Sequence, residues 1–417
     1  MKVISYIVAT MMMCGVSFGQ EAVKADYHGW QAINLKNEFN SLQITPDIGG
    51  RIIQLEFNGA KLFWENPALL GQSSPETGLD PDGEWMNYGG EKLWPAPQGW
   101  DNDKQWGGPP DPVLDGGVYH SEIRDGKSVY LRSGVDPITG IRFERTIKII
   151  PGSSGIEINA TMTNESKRDI RWGIWSNAQL DASANGGRNE KFKVYCPINP
   201  DSKFVRGYGV LFGLVRNPQW QAGDDLMTIH YMHHVGKAVL DSPAGWLASV
   251  NGETGNVFVQ TFDFDAKAEY PDHSSVAVWM QGLGSFYAWG KVNPMADDTA
   301  ENPYLVESET LSPYADLKPG ESYEYRYKWF TANLGGDYPV IDVKGDLLIS
   351  EMSISVDRVK ARVGAFRKGE VLLKADGKTI DRFEVSPAKP LVIDQPIDTH
   401  NITLTFISNE KHNPNQC

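Results

Sequence analysis

Glu307 and Glu309 stand two residues apart in Leu305-Val306-Glu307-Ser308-Glu309-Thr310-Leu311, and in a strand that spacing puts both carboxylates on one face. Like charges side by side raise the proton affinity of one of them, which is how a carboxylate becomes a general base near neutral pH. The same spacing also describes a solvated strand face carrying surface acids, and spacing alone does not separate the two. A second constellation is Asn87-Tyr88-Gly89-Gly90-Glu91-Lys92-Leu93-Trp94-Pro95-Ala96-Pro97-Gln98. Its glycines bend the backbone, its prolines stiffen it, and it carries a cation, an amide and an indole, the makings of a pocket wall. Trp85, Trp94, Trp100 and Trp106 fall within 22 residues, beside Asp101, Asp103 and Gln105. Flat apolar rings next to hydrogen-bonding groups suit a sugar, whose C–H faces stack on aromatics while its hydroxyls seek polar partners. The alternative is a folded loop that uses its indoles as core.

The elements that must position these residues are strands. Ile141, Phe143, Ile147 and Ile149 alternate with Arg142, Glu144, Thr146 and Lys148, and Ile156, Ile158, Ala160 and Met162 alternate with Glu157, Asn159, Thr161 and Thr163. Such period-2 patterns predict half-buried strands, and Pro151-Gly152-Ser153-Ser154-Gly155 between them predicts a hairpin. Asn58-Gly59 and Asn251-Gly252 mark further turns. Tyr323, Tyr325, Tyr327 and Trp329 line one face of another strand. No stretch shows helical spacing over three turns, so the expectation is an antiparallel all-β protein. The pattern breaks at residues 332–346, and the Val- and Ile-rich segments beyond it, with an Asp376-Gly377 turn, suit a small immunoglobulin-like β-sandwich. The expected domains are a signal peptide at 1–19, a large β-sandwich at 20–335 and a small one at 345–411.

On these residues the chain resembles the aldose 1-epimerases of the galactose mutarotase-like superfamily. A strand-end Glu followed by Pro313 and Leu317-Lys318-Pro319-Gly320-Glu321 resembles their C-terminal signature, and Ile44-Thr45-Pro46-Asp47-Ile48-Gly49-Gly50-Arg51 resembles their opening strands. Tyr88-Gly89-Gly90 is similar to the superfamily's His-Gly-Gly, and Trp172-Gly173-Ile174-Trp175-Ser176-Asn177 to the strand that carries its catalytic histidine. The resemblance covers roughly residues 30 to 331 and is closer still to a secreted bacterial branch. It implies a β-supersandwich with Glu307 as base and Glu309 where a substrate-contacting Gln often stands. It also implies sugar contacts from Tyr88, Trp94, Gln98, Trp175 and Asn177. Trp175 stands near the place of the catalytic histidine and Tyr88 replaces the first His of His-Gly-Gly, departures that point away from ordinary mutarotation.

Lys92 or a tyrosine is the candidate acid. Lys92 and Arg51 lie on motifs expected to meet at the concave face of the sheet, where they would hold a uronate carboxylate or sulfate. Adjacent His233 and His234 place their rings apart in a strand and make no metal motif. His120 and His273 are lone residues, and Asp224-Asp225 and Asp297-Asp298 suit turns better than calcium. No metal and no cofactor is expected.

The 417 residues carry a formal net charge of −14, which argues against nucleic acid or an anionic membrane surface as partner. Met1-Lys2, an uncharged run from Val3 to Met13 and Ser17-Phe18-Gly19 predict export with cleavage before Gln20, to the periplasm or medium. Cys14 as a lipid-attachment site is the alternative. No second apolar run reaches the roughly 18 residues of a membrane span. After cleavage only Cys196 and Cys417 remain, too few for a disulfide framework. Three function classes follow: a sugar epimerase, lyase or hydrolase; a non-catalytic glycan-binding protein; and a structural envelope protein.

Overall fold

A computed structural model describes residues 20–75, 83–99, 106–399 and 401–408. The expected signal segment 1–19 with Cys14, together with Trp100, Asp101, Asp103, Gln105, residues 409–411 of the expected second domain and Cys417, lies outside them. Every strand pairs antiparallel to its neighbours, and among the described residues the one helical turn is a short 3-10 turn at Pro271–His273.

Two large sheets face each other. The first has twelve strands, running in spatial order from Glu21–Tyr27 through Arg51–Phe57, Glu91–Ala96, Ile170–Asp181, Leu305–Leu311, Val276–Met280 and Gly236–Leu240 to Gly209–Gly213. The second has ten, with Ser322–Asn333, Ile156–Asn164 and Ile141–Ile149 side by side near its middle. The alternation read in the sequence decides which side chains enter the layer between them. Ile141, Phe143, Ile147 and Ile149 are fully buried there, as are Ile156, Ile158, Ala160 and Met162. The expected turns join paired strands: Ile149 pairs with Ile156, Phe57 with Ala60 and Asn251 with Asn256.

The C-terminal region forms two smaller sheets of seven strands in all. Its four-stranded sheet comprises Asp342–Lys344, Leu347–Ile354, Arg358–Ala365 and Leu391–Pro396, and its three-stranded sheet Gly369–Ala375, Lys378–Val385 and Ile402–Ser408. Its strands begin at Asp342, and a cluster around Val359, Val363, Val371, Leu373 and Ile393 is buried among them. The region also covers the outer face of the ten-stranded sheet. Leu348 and Phe366 pack with Tyr195, Trp246, Val257, Val259 and Ala332, and the Ser154 amide and Ser153 hydroxyl both donate to the Phe366 carbonyl at 2.8 Å.

Candidate functional site

In the twelve-stranded sheet, cross-strand register assembles the chemistry. Asn177 lies opposite Lys92 on one side and Glu309 on the other. One step along, Gln179 lies opposite Glu307, Glu307 opposite Trp279, and Trp279 opposite Lys237. Trp94 lies opposite Trp175. Because side chains alternate faces with period 2, all of these share the face turned away from the second sheet. Their neighbours in sequence, Glu91, Ser176 and Ser308, point inward.

That outer face floors a cleft of about 670 Å³, lined by Trp64, Trp85, Trp94, Trp175, Trp279, Phe286 and Trp289 with Gln98, Gln179, Lys237, Glu84, Glu301 and Glu307 among the polar groups. Glu307 is almost wholly buried, and its Oε1 accepts a 2.7 Å hydrogen bond from Gln179 Nε2. Lys92 Nζ stands 3.8 Å from the same oxygen, beneath the indoles, 4.7 Å from the Trp94 ring centre and 5.5 Å from that of Trp85. Lys237 Nζ stands 2.8 Å from Glu309 Oε2 and 4.2 Å from the Trp175 ring centre.

The electrostatics follow from burial. Desolvation lowers Lys92 to about 8, against the opposing pull of Glu307. It raises Glu309 to about 7, an effect that Lys237 opposes and the Glu307 charge reinforces. The carboxylate with raised proton affinity is therefore Glu309, and burial outweighs the like-charge repulsion from which the spacing argued. Several buried polar atoms here have no hydrogen-bond partner: Lys92 Nζ, Trp175 Nε1, both amide atoms of Asn177, Gln179 Oε1 and both oxygens of Glu309. For Glu309 Oε2 the contact with Lys237 is close but poorly aligned, so it counts as an ion pair rather than a hydrogen bond. Buried polar groups are normally satisfied, and these unsatisfied ones, at and just beneath the floor of the cleft, mark it as the candidate site.

The sequence candidates divide. Glu307, Trp94, Gln98 and Trp175 line the cleft. Lys92, Asn177 and Glu309 form the layer just under its floor, fully buried. Arg51 and Tyr88 do not line it, and the expectation that Arg51 and Lys92 hold a uronate at an open concave face is not met. Arg51 is fully buried, paired with Asp115 Oδ1 at 2.5 Å and donating to the carbonyls of Ile48 and Gly89. Tyr88 packs in a small core with Trp30, Ile48 and Ile53. Gly89 and Gly90 explain why the chain turns there: both have positive φ, and a Cβ would meet Trp64 O at 2.2 Å or Ile52 O and Ile53 Cα at 2.6 Å. His233 approaches the Asn302 carbonyl and His234 the Asn217 side chain, each at 3.3 Å. His120, His273, Asp224, Asp225, Asp297 and Asp298 are exposed. Among the described residues no three His, Cys, Asp or Glu side chains are placed to hold a metal.

Sequence reading missed Asp115, Gln179, Lys237 and Trp279. Asp115 is the organiser of the wall: its carboxylate accepts from Trp85 Nε1 at 2.7 Å, Trp94 Nε1 at 3.1 Å and Arg51. Asp111 does the same for Trp106 at 2.8 Å, and burial pushes it up to about 6. The available signal was two aspartates in Asp111-Pro112-Val113-Leu114-Asp115-Gly116-Gly117, directly after a tryptophan cluster whose indole N–H groups need acceptors.

Comparison with known proteins gives a family and leaves the activity open. No curated protein sequence matches. Among solved structures, a TPR-domain containing protein from Parabacteroides distasonis is similar at 14% identity and a TM-score of 0.49 over 76% of this chain, which spans about half (49%) of that protein. A galactose mutarotase-like protein from Lactobacillus casei is similar at 10% identity and a TM-score of 0.45, covering 72% of this chain and 99% of that one. A galactose mutarotase related enzyme from Lactobacillus acidophilus is similar at 12% identity and 0.45, covering 76% and 100%. Residues 30–332 match the family model described as "Domain of unknown function (DUF4380)", which takes in nearly all of the two-sheet region and every residue of the cleft, and the chain belongs to that family.

Proposed function

We propose that this is an exported carbohydrate-active protein whose cleft takes a sugar ring or short oligosaccharide, with Glu307 as the base that acts on it. One observation carries the reading: Glu307 and the unpartnered Gln179 Oε1 sit on the floor of a cleft walled by six indoles. Indole faces stack on the C–H faces of a sugar, and the floor offers its hydroxyls both donors and acceptors. Glu307 takes a proton from a bound hydroxyl or C–H group, as in epimerase- or lyase-like chemistry. Gln179 holds the carboxylate in place, and Lys92 supports it from below without reaching the ligand. Lys237, which lines the cleft, is the donor nearest to hand for the opposite proton transfer.

The test is a glycan screen by thermal shift, in which a ligand at a hundredfold excess over its Kd raises stability by about 2.7 kcal/mol. Calorimetry and product analysis on Glu307→Gln follow. The amide keeps the shape and removes the base, so turnover should fall by about 10²–10⁴ while affinity holds within a few fold. A glycan that binds but is never converted, with Glu307→Gln weakening only its affinity, would make the protein a glycan-binding module instead. Unchanged binding and turnover in the variant would remove Glu307 from the site altogether.

A further inference from the structure

The charges of the cleft do not balance, and the imbalance bears on which sugar fits. Each cation at or under the floor already has a carboxylate: Arg51 has Asp115, Lys92 has Glu307 and Lys237 has Glu309. The lining adds two more carboxylates, Glu84 and Glu301, and among the described residues neither is ion-paired. The aromatic wall already works as a receptor for positive charge, since the protein seats the Lys92 ammonium against Trp94 and Trp85 and the Lys237 ammonium against Trp175. Indole faces attract cations within about 6 Å of the ring centre. Gln179 supplies an independent sign. Its Nε2 is committed to Glu307, while Oε1, almost fully buried at the cleft, has no donor.

We infer that the cleft selects a sugar bearing a free ammonium group, a de-N-acetylated hexosamine unit, over neutral, N-acetylated or acidic sugars. The inference rests on the sugar reading above and names its substrate class. The ammonium meets an indole face, the Gln179 carbonyl oxygen and the field of Glu84 and Glu301. A uronate or sulfate meets the same carboxylates, and among the described residues no unpaired cation lines the cleft to receive it.

The experiment uses the whole chain and three oligomers of equal length: β-1,4-glucosamine, its fully N-acetylated form and oligogalacturonate. Choline is the fourth ligand. Titration calorimetry at low and high salt should show the glucosamine oligomer binding at least about tenfold tighter than the acetylated one at low salt, a gap that salt narrows. Glu84→Gln combined with Glu301→Gln, two exposed positions whose change spares the core, should narrow the same gap at low salt. Equal or tighter binding of the acetylated or acidic oligomer overturns the inference while leaving the sugar reading standing. Choline binding as tightly as the oligomer overturns it too, because the cleft would then recognise charge without the sugar. No binding by any of the three oligomers overturns the inference, and the sugar reading then stands or falls on the glycan screen.

Discussion

The two faces of the twelve-stranded sheet use the same kinds of residue to opposite ends. On the inner face, Glu91 accepts from Arg145 at 2.6 Å, from Ser176 at 3.0 Å and from Tyr327 at 3.2 Å, and Arg145 also donates to the Gly50 carbonyl. That network is closed. On the outer face, the adjacent residues Lys92, Asn177 and Glu309 are equally buried, yet Lys92 Nζ, both amide atoms of Asn177 and both Glu309 oxygens lack hydrogen bonds. Buried charge that is fully paired locks two sheets in register. Buried charge whose only partner is a single counter-ion keeps unsatisfied hydrogen-bonding capacity and has a shifted proton affinity, as Lys92 and Glu309 do. The difference of one residue in sequence separates a structural network from a candidate site.

The comparison can be broken most severely from the far side of the molecule. A chain ending at Gly335 loses Leu348 and Phe366 from the cluster that covers Tyr195, Trp246, Val257 and Val259. It should aggregate or show a broadened melt even though both faces of the twelve-stranded sheet are intact. Light scattering and calorimetry decide, and a monodisperse, cooperatively folding fragment would show the C-terminal region to be independent. The closed network comes next. Glu91→Ala leaves the Arg145 guanidinium buried and unpaired, at a cost of about 3–5 kcal/mol in denaturant unfolding. The ligand affinity of the folded fraction should be unchanged, because Glu91 faces away from the cleft.

On the open face the effects are smaller in stability and larger in binding. Trp94 packs against Trp85, Trp106 and Trp175 and is hydrogen-bonded to Asp115, so its removal damages the fold. Trp279 is only half-buried and lines the cleft. Trp279→Ala should therefore weaken a bound sugar by about 1–3 kcal/mol, by analogy with base stacking on aromatics, with less loss of stability than at Trp94. Calorimetry against an unfolding curve separates the two.

The smallest effect is one of pH. Glu309 is raised from 4.5 to about 7. A carboxyl held above its unfolded value contributes stability that is complete below the unfolded value and is lost as the pH rises through the folded one. Glu309→Gln should thus gain on the wild type by about 1–2 kcal/mol between about pH 5 and pH 8 in urea titrations. Lys92, lowered from 10.5 to about 8, has the opposite sign, its contribution present above the unfolded value and lost as the pH falls. Because the Glu309 charge helps hold Lys92 up, the variant moves Lys92 too, and the comparison is read below about pH 8, where Glu309 dominates. A pH-independent difference would mean that Glu309 is not perturbed.

Strand identity and facing were legible because alternation is local: each of Ile141 to Ile149 reports its own phase. Even the inner network left a trace, since Arg145 falls on the apolar phase of that strand, where an unpaired charge is not tolerated, and so demanded the partner that Glu91 supplies. Glu307 and Glu309 sharing a face followed from the same period, and the tryptophan-rich loop showed itself by composition.

Convergence was decided only by tertiary structure. Which carboxylate meets which cation depends on sheet order, which sets the strands of Glu91–Ala96, Ile170–Asp181, Leu305–Leu311, Val276–Met280 and Gly236–Leu240 side by side out of sequence order. Lys237 and Gln179 carry no local mark of their role, because a single lysine or glutamine in a strand has the same pattern on a surface as in a cleft. Arg51 had the composition of a ligand-binding cation, but the loop carrying Asp115 folds over it and satisfies it. The amino acids determined the strands and their faces through period-2 burial, and long-range pairing determined which of the buried polar groups are hydrogen-bonded and which are not.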